Sequence, residues 1–327
     1  MGKPTYETRQ TMTNNQTKNC TYGKHQVHRS ARRLSRSLVL TSLLTAAIVL
    51  PASAWADESH LVSTKVTEGL YMLSGDGGNI GVMIGKDGTF LIDDQMAIAS
   101  PDLIALIDQL GGEFPQFLIN THFHFDHTGG NEILGEKGTT IFSHEMARTR
   151  LANGNDIPIF DLSVPPMASD GLPVVTFKDS MSFHLNGDTM RAVHTPRAHT
   201  DGDVVVFFER GNVVHAGDVF FNGIYPVIDT HNGGSLQGTI SAVEMLLENT
   251  DENTKIIPGH GSLGSRDDLL DYLVMLQHAR DELGRLSNEG KTRQQVIDLR
   301  PLEQFDAEWA GGFFSTDIWT GMMFDGL

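Results

Sequence analysis

The stretch Thr121-His122-Phe123-His124-Phe125-Asp126-His127 sets four side chains able to bind a metal within six residues, directly after the apolar run Phe117-Leu118-Ile119. A short apolar run that ends at Asn120 reads as a buried strand of an α/β sheet, and the loop leaving such a strand is where ligands are presented. On an extended chain His122 and His124 point the same way and can face one metal. Asp126 and His127 follow at the turn, free to face a second. One histidine in this setting is more often a packed side chain than a ligand; three with an aspartate reverse that reading.

Upstream, the character of the chain changes at His28. Arg29, Arg32, Arg33 and Arg36 precede the apolar stretch Leu38 to Leu50, which is too short to span a bilayer comfortably. Pro51-Ala52-Ser53-Ala54-Trp55-Ala56 then supplies small residues in an A-x-A arrangement. Residues 1–56 therefore read as a leader with a secretory signal peptide cleaved after Ala56. The mature protein is expected in the periplasm or outside the cell, with no stable membrane insertion. Arg32-Arg33 followed by Leu34-Ser35 is a weak match to a twin-arginine signal. Residues 57–327 hold no Pro/Ser-rich hinge, low-complexity tract or strong repeat and are expected to form one domain.

The chain carries 24 Lys+Arg and 41 Asp+Glu, a net charge of −17. Setting residues 1–56 aside leaves 16 basic and 40 acidic side chains, or −24. Such a surface repels phosphate backbones and anionic lipid, which argues against nucleic acid as a partner. The one cysteine, Cys20, lies in the leader. The remainder thus has neither a disulfide nor a thiolate ligand, and histidine and carboxylate must do any metal work.

Hydrophobic periodicity fills in the frame. Strands are expected within Val62 to Leu73, at Asn79 to Ile84 and at Thr89 to Ile92, the last ending at Asp93. Pro101 to Leu110 reads as a helix with Ser100 as N-cap. Asn131 to Leu134 begins another helix, Ile141-Phe142 is a short strand, and Glu145 to Leu151 is helical. Ala152 to Thr176 breaks into Gly, Asn and Pro and is expected to be a long loop, a flap or pocket wall. Strands follow at Met181 to Leu185, Met190 to Val193, Val204 to Phe208 and Val213 to His215. Helix Ser235 to Leu247, strand Lys255 to Ile257 and helix Arg266 to Leu286 complete the series. The order predicts two sheets packed face to face with helices outside. Thr292 to Ile297 reads as helical, and the aromatic-rich stretch from Trp309 to Phe324 as core packing.

Three strand ends in the second half supply further ligand candidates. His199 stands in Pro196-Arg197-Ala198-His199-Thr200-Asp201-Gly202-Asp203, Asp218 in His215-Ala216-Gly217-Asp218, and His260 in Pro258-Gly259-His260-Gly261. With the first cluster they make seven.

From about Val62 to at least His260 the sequence resembles the metallo-β-lactamase-fold hydrolase superfamily, on the motifs THFHFDHTGG, HTDGD, AGD and PGHG. The resemblance implies an α/β fold, a four-layer αββα sandwich with the site at one edge of the sheets. It also implies that His122, His124 and His199 bind one metal, that Asp126, His127 and His260 bind the other, and that Asp218 bridges them. Asp126 and Asp218 would be the catalytic carboxylates, and Asp93 would steady a ligand histidine. Two divalent cations, zinc first with iron or manganese also accepted by such donors, would generate a hydroxide at neutral pH and polarise a carbonyl. The expected substrate is a small molecule with an activated acyl bond: a β-lactam, lactone, ester or thioester.

The resemblance has one departure. The best-known β-lactamase subclass has cysteine at the position of Asp218 and a lysine after it; here Val219-Phe220-Phe221-Asn222 follow. Asp218 instead resembles the glyoxalase II and acyl-homoserine lactone lactonase branches, so β-lactam turnover is expected to be weak. Arg197 is a candidate anion contact and Tyr225 a candidate donor to a developing oxyanion. The reading from another class is an iron-dependent oxidoreductase resembling persulfide dioxygenases. That activity needs a single iron and is disfavoured by the complete set of seven.

Overall fold

Alternation along the strands decides which way each sheet faces. The computed structural model describes residues 60–327, so the leader assigned to residues 1–56 lies outside the described residues. The first sheet takes β1 (Val62–Thr67), β2 (Leu70–Ser74), β3 (Ile80–Gly85), β4 (Gly88–Ile92), β5 (Phe117–Ile119) and β6 (Thr140–His144) in sequence order. A separate hairpin of β7 (Asn155–Ile157) and β8 (Leu162–Val164) precedes β9 (Val175–Phe177), which closes the far edge of that sheet. The second sheet runs β10 (Ser180–Leu185), β11 (Asp188–Thr195), β12 (Asp203–Phe208), β13 (Val213–Phe221), β14 (Lys255–His260) and β15 (Gly264–Ser265). Strands β4, β5, β6 and β9 are parallel, as are β13 and β14.

Odd and even residues part to opposite faces. Phe90 and Ile92 of β4 and Ile119 of β5 join Val204, Val206 and Phe208 of β12 in a core between the two sheets. Their neighbours Leu91 and Leu118 turn outward onto Leu103 and Ile107 of α1 (Ser100–Gln109). On the other side Val205 and Phe207 join Ile240 and Val243 of α5 (Leu236–Glu248) and Tyr272, Met275 and Leu276 of α6 (Arg266–Asn288). Period-two strands buried on both faces give helix, sheet, sheet, helix, the expected four layers. Shorter helices are α2 (Phe125–Thr128), α3 (Asn131–Glu136), α4 (Glu145–Asn153), α7 (Arg293–Leu299), α8 (Asp306–Trp309) and α9 (Thr316–Asp325). (In chain order α2 to α4 precede α5.) No helix among the described residues is long and apolar enough to cross a membrane.

Four expectations change. Ser100 is not an N-cap: a 3-10 turn over Ala97–Ala99 precedes α1 and places Ser100 inside it, buried. β13 continues through Phe221 because its pairing with β14 survives irregularities around Gly217, so Asp218 lies on the strand and not after it. β14 likewise runs through Pro258 and Gly259 to His260. The expected loop 152–176 contains β7, β8 and β9, three-residue strands too short to show alternation.

The C-terminal apolar stretch packs into the core in part, with Phe313 and Ile318 left exposed. Trp309, Phe314, Trp319 and Met323 are buried against α6 and the second sheet. Trp319 stacks on Tyr225 with centroids 4.5 Å apart, and its indole N–H donates to the Pro226 carbonyl at 2.8 Å. Trp319→Ala is expected to lower the unfolding free energy by about 3–5 kcal/mol, read as a fall in the urea midpoint. A loss below about 1 kcal/mol, the scale of surface substitutions, would mean that the segment is not part of the core.

Candidate metal centre

The motif is fixed by a carboxylate before its own histidines are considered. Asp93 ends β4 at a φ of 62°, a left-handed conformation that aspartate tolerates better than most side chains. Its buried carboxylate accepts the Thr121 N–H at 2.7 Å, the Thr121 hydroxyl at 2.7 Å and His127 Nδ1 at 2.8 Å. The chain bends at Thr121 to Phe123 after β5 instead of staying extended as expected, so His122 stands on the bend and His124 on the extended residue that opens α2, while Asp126 and His127 sit on the single turn of α2. The change of backbone geometry turns the second pair to a different point in space.

The seven candidate ligands converge as two groups. One donor atom from each of His122, His124, His199 and Asp218 lies within 4.8 Å of the others, and the same holds for Asp126, His127 and His260. The Asp218 carboxylate is 3.8 Å from His122 Nε2 and 3.4 Å from His199 Nε2. It is also 3.0 Å from His127 Nε2 and 3.6 Å from His260 Nε2, so it touches both groups. Gly259 makes room for it, since a Cβ there would lie 1.9 Å from Asp218 Oδ1. Gly78 does the same for His127, whose ring would be 2.2 Å from a Cβ.

The hydrogen-bonding of the rings shows that cations fit. His124 Nε2 meets Asp229 Oδ2 at 2.9 Å, His199 Nδ1 meets the Val227 carbonyl at 2.7 Å, and His127 Nδ1 meets Asp93. His122 Nδ1 meets the Thr121 hydroxyl at 3.0 Å, whose own proton goes to Asp93. All four outer partners are acceptors, which assigns the ring proton to the outer nitrogen and a lone pair to the inner one. Those inner atoms face one another: His199 Nε2 is 2.9 Å from His124 Nδ1, and His127 Nε2 is 3.4 Å from His260 Nε2. His122 Nε2 is buried with no hydrogen-bond partner. The converging lone pairs of His122, His124 and His199 beside a carboxylate repel one another unless a cation lies among them. His127 and His260, which the neighbouring carboxylates hold protonated, would exchange a proton for the ion. Imidazole with carboxylate suits a divalent ion.

Burial and charge set the protonation states. Burial holds the His199 imidazole down to about 4 and drives His122 well below its usual range, with His127 adding to the effect. Burial also works against His260, but Asp218 and Asp126 outweigh it and lift the ring to about 9. Burial raises Asp126, yet His127 and His260 prevail and hold it at about 2. Asp218 is likewise kept well below the carboxylate range by the surrounding histidines, against its burial. Both carboxylates are therefore anionic at neutral pH, as ligation requires.

Two of the proposed neighbours are not brought to the site. Arg197 is exposed in a left-handed turn with a φ of 56°, where its carbonyl accepts from Ser235 Oγ, and its side chain lines neither cavity at the cluster. Tyr225 is buried in the stack with Trp319 and lines neither cavity. One of these cavities, about 120 Å³, is lined by His124, Asp126, His199, Asp218 and His260 together with apolar side chains. The other, about 610 Å³, meets it at His260 and runs between Ser74–Asn79 and Gly261–Leu263.

Asp229 is a functional residue that the sequence reading missed. Its Oδ2 also accepts from Asn232 Nδ2 at 2.6 Å; Asn232 reaches the Asp156 carbonyl at 2.8 Å and receives Arg150 Nη1 at 2.6 Å. Arg150 is in turn held by both oxygens of Asp201. The available signal was the acid placed directly after Pro226-Val227-Ile228, the same pattern that marks Asp93. Asp229→Ala should free the His124 ring and weaken divalent-metal binding by about 10–100-fold, measured by competition with a chromophoric chelator. An unchanged affinity would remove Asp229 from the metal centre.

Comparison with known proteins agrees with this geometry. The chain is 26% identical over 202 residues to a probable metallo-hydrolase of Methanocaldococcus jannaschii, covering 59% of this chain and 91% of that protein. It is 33% identical over 138 residues to a hydroxyacylglutathione hydrolase of Methylococcus capsulatus, covering 42% and 44%. It thus spans less than half the length of that relative. A metallo-beta-lactamase from Pontibacter korlensis shares the fold, with a TM-score of 0.56 at 20% identity over 67% of this chain and 99% of that one. The profile of the metallo-beta-lactamase superfamily matches residues 73–260, from the end of β2 to the last of the seven residues, and the chain belongs to that superfamily.

Proposed function

We propose that the protein is an exported dinuclear metal hydrolase that opens an activated acyl bond in a small molecule, with zinc as the metal. The observation that carries this reading is the convergence of seven donors into two groups that share Asp218. The same paired arrangement argues against a single-iron oxidoreductase, because the second group is complete. Divalent ions held there lower the pKa of a water and polarise an acyl carbonyl.

The protein's own residues do the rest. Asp93, Asp229, Thr121 and the Val227 carbonyl hold four imidazoles at fixed orientations before any ion arrives, so little reorganisation accompanies binding. Asp126 lines the smaller cavity as a carboxylate held anionic, so it accepts a hydrogen bond from the attacking oxygen and orients it. Phe125, Ile157, Phe160 and Phe313 keep bulk water from the same space. Esters, lactones and thioesters fit this chemistry better than β-lactams, because no lysine or arginine lines either cavity to receive a substrate carboxylate. Export is supported by the basic, apolar and small-residue pattern of residues 28–56. N-terminal sequencing of the secreted or periplasmic protein should begin at Asp57.

Metal analysis of the purified protein should return two zinc ions per chain, with hydrolysis of 4-nitrophenyl acetate or an acyl-homoserine lactone. Asp218→Ala should lower turnover by more than about a hundredfold, beyond what loss of an outer hydrogen-bond partner costs. One iron per chain without hydrolysis would overturn the hydrolase reading in favour of the oxidoreductase.

A further inference from the structure

Exposed phenylalanine is distributed unevenly over this protein. Among the described residues the phenylalanines that stand out to solvent are Phe125, Phe160 and Phe313, at 39%, 42% and 48% exposure, and all three line the smaller cavity. They come from three separate segments: the metal motif, the turn between β7 and β8, and the chain before α9. Isolated exposed apolar side chains need no explanation, but three that converge on one cavity indicate a ligand that covers them.

The wall they form is built in advance. Phe160 packs against Phe314 at 5.9 Å and Phe313 at 6.3 Å between ring centroids. Phe313 stands edge-on to His260 at 5.1 Å, while Phe221 stacks on the same imidazole at 5.2 Å. The hairpin that presents Ile157 and Phe160 is fastened to the metal side by the bond from Asn232 to the Asp156 carbonyl. Ile157 and Val227 complete the apolar lining. The cavity is small, about 120 Å³, and part of it lies directly in front of His124, Asp126, His199, Asp218 and His260, so little apolar space remains for an acyl chain.

Charge excludes as strongly as shape selects. Neither this cavity nor the adjoining groove is lined by a lysine or arginine, whereas Asp126 and Asp76 contribute carboxylates. A substrate tail that ends in a carboxylate or phosphate beside the phenylalanines would find no basic side chain in either cavity to pair with.

We propose that the acyl group accepted by this site is short, apolar and uncharged, and that Phe160 and Phe313 set that preference. The inference rests on the hydrolase reading and narrows its substrate to neutral esters or lactones of small apolar acids. Anionic thioesters such as those of glutathione, which carries two carboxylates, are disfavoured.

A series of 4-nitrophenyl esters from acetate to octanoate, assayed with the zinc-loaded protein, tests it. kcat/KM should rise about fourfold per methylene, the worth of one buried CH₂, and level off before octanoate. The glutarate monoester, which matches pentanoate in reach but ends in a carboxylate, should be at least about tenfold poorer. Phe313→Ala and Phe160→Ala should lower the pentanoate-to-acetate ratio and move the optimum to longer chains, with Phe313→Leu intermediate. Saturation-transfer NMR on the metal-free protein should show pentanamide contacting the aromatic protons and glutaramate not doing so. A flat chain-length profile, or a glutarate monoester turned over as well as pentanoate, would overturn the inference while leaving the hydrolase standing. Failure of the zinc-loaded protein to hydrolyse any ester or lactone would overturn the hydrolase reading, and this inference with it.

Discussion

The three hydrogen bonds accepted by Asp93 are the constraint on which the site depends. A buried carboxylate is costly unless its oxygens are satisfied, and here they are satisfied only when the first residue of the metal motif and its last histidine are both in place. Thr121 then carries the constraint further. Its N–H and hydroxyl go to Asp93 in the first sheet, while its carbonyl accepts the Val204 N–H at 2.7 Å from the second. Asn79 repeats the arrangement nearby, its N–H donating to Gly259 and its side-chain amide to Pro258 and Gly261. Between the edges the sheets meet through apolar side chains; at this edge, and again where Asp87 and Gly88 bond Asn186, they are joined by directional bonds, which hold atoms in position as dispersion contacts do not.

That rigidity has an electrostatic counterpart. The outer nitrogens of His122, His124 and His199 are tied to acceptors, so their inner lone pairs are forced toward one another and toward Asp218. The folded chain thereby holds a repulsive arrangement that the rest of the fold must stabilise, and a divalent cation relieves it. Binding free energy released in that way adds to folding stability, since the unfolded chain offers no comparable site.

Local pattern made the ligands legible and left their supports obscure. The HxHxDH run needs only strand and turn geometry over six residues, and Asp218 and His260 come shortly after apolar runs while His199 stands just before one. The layers were legible from the order of strands and helices, and β4 and β12, apolar almost throughout, are buried on both faces. Asp229 stands 105 residues from the histidine it orients, and no periodicity links the two. Arg197 and Tyr225 failed as candidates because proximity in sequence to a ligand says little about direction. The turn at Arg197 faces solvent, and the chain after β13 carries Tyr225 into the core under Trp319. The strands hidden in 152–176 are three residues long, below the length at which alternation can be told from chance.

The contrast separates what this protein shares from what it decides for itself. The metal-side residues are held by the sheet edge and its hydrogen bonds. The apolar wall comes from segments that reach the site by other routes, Phe160 on the hairpin fastened through Asn232 and Phe313 in the chain between the core residues Trp309 and Trp319. Asn232 belongs to both systems, since one amide group bonds the hairpin carbonyl of Asp156 and the carboxylate that holds His124. A shift of the hairpin therefore pulls on a metal ligand as well as on the cavity wall. On the proposed function, substrate fit and metal geometry would be coupled through Asn232, as they would through Val227, which lines the cavity while its carbonyl holds His199, so the acyl group and the reacting atoms would not be positioned independently.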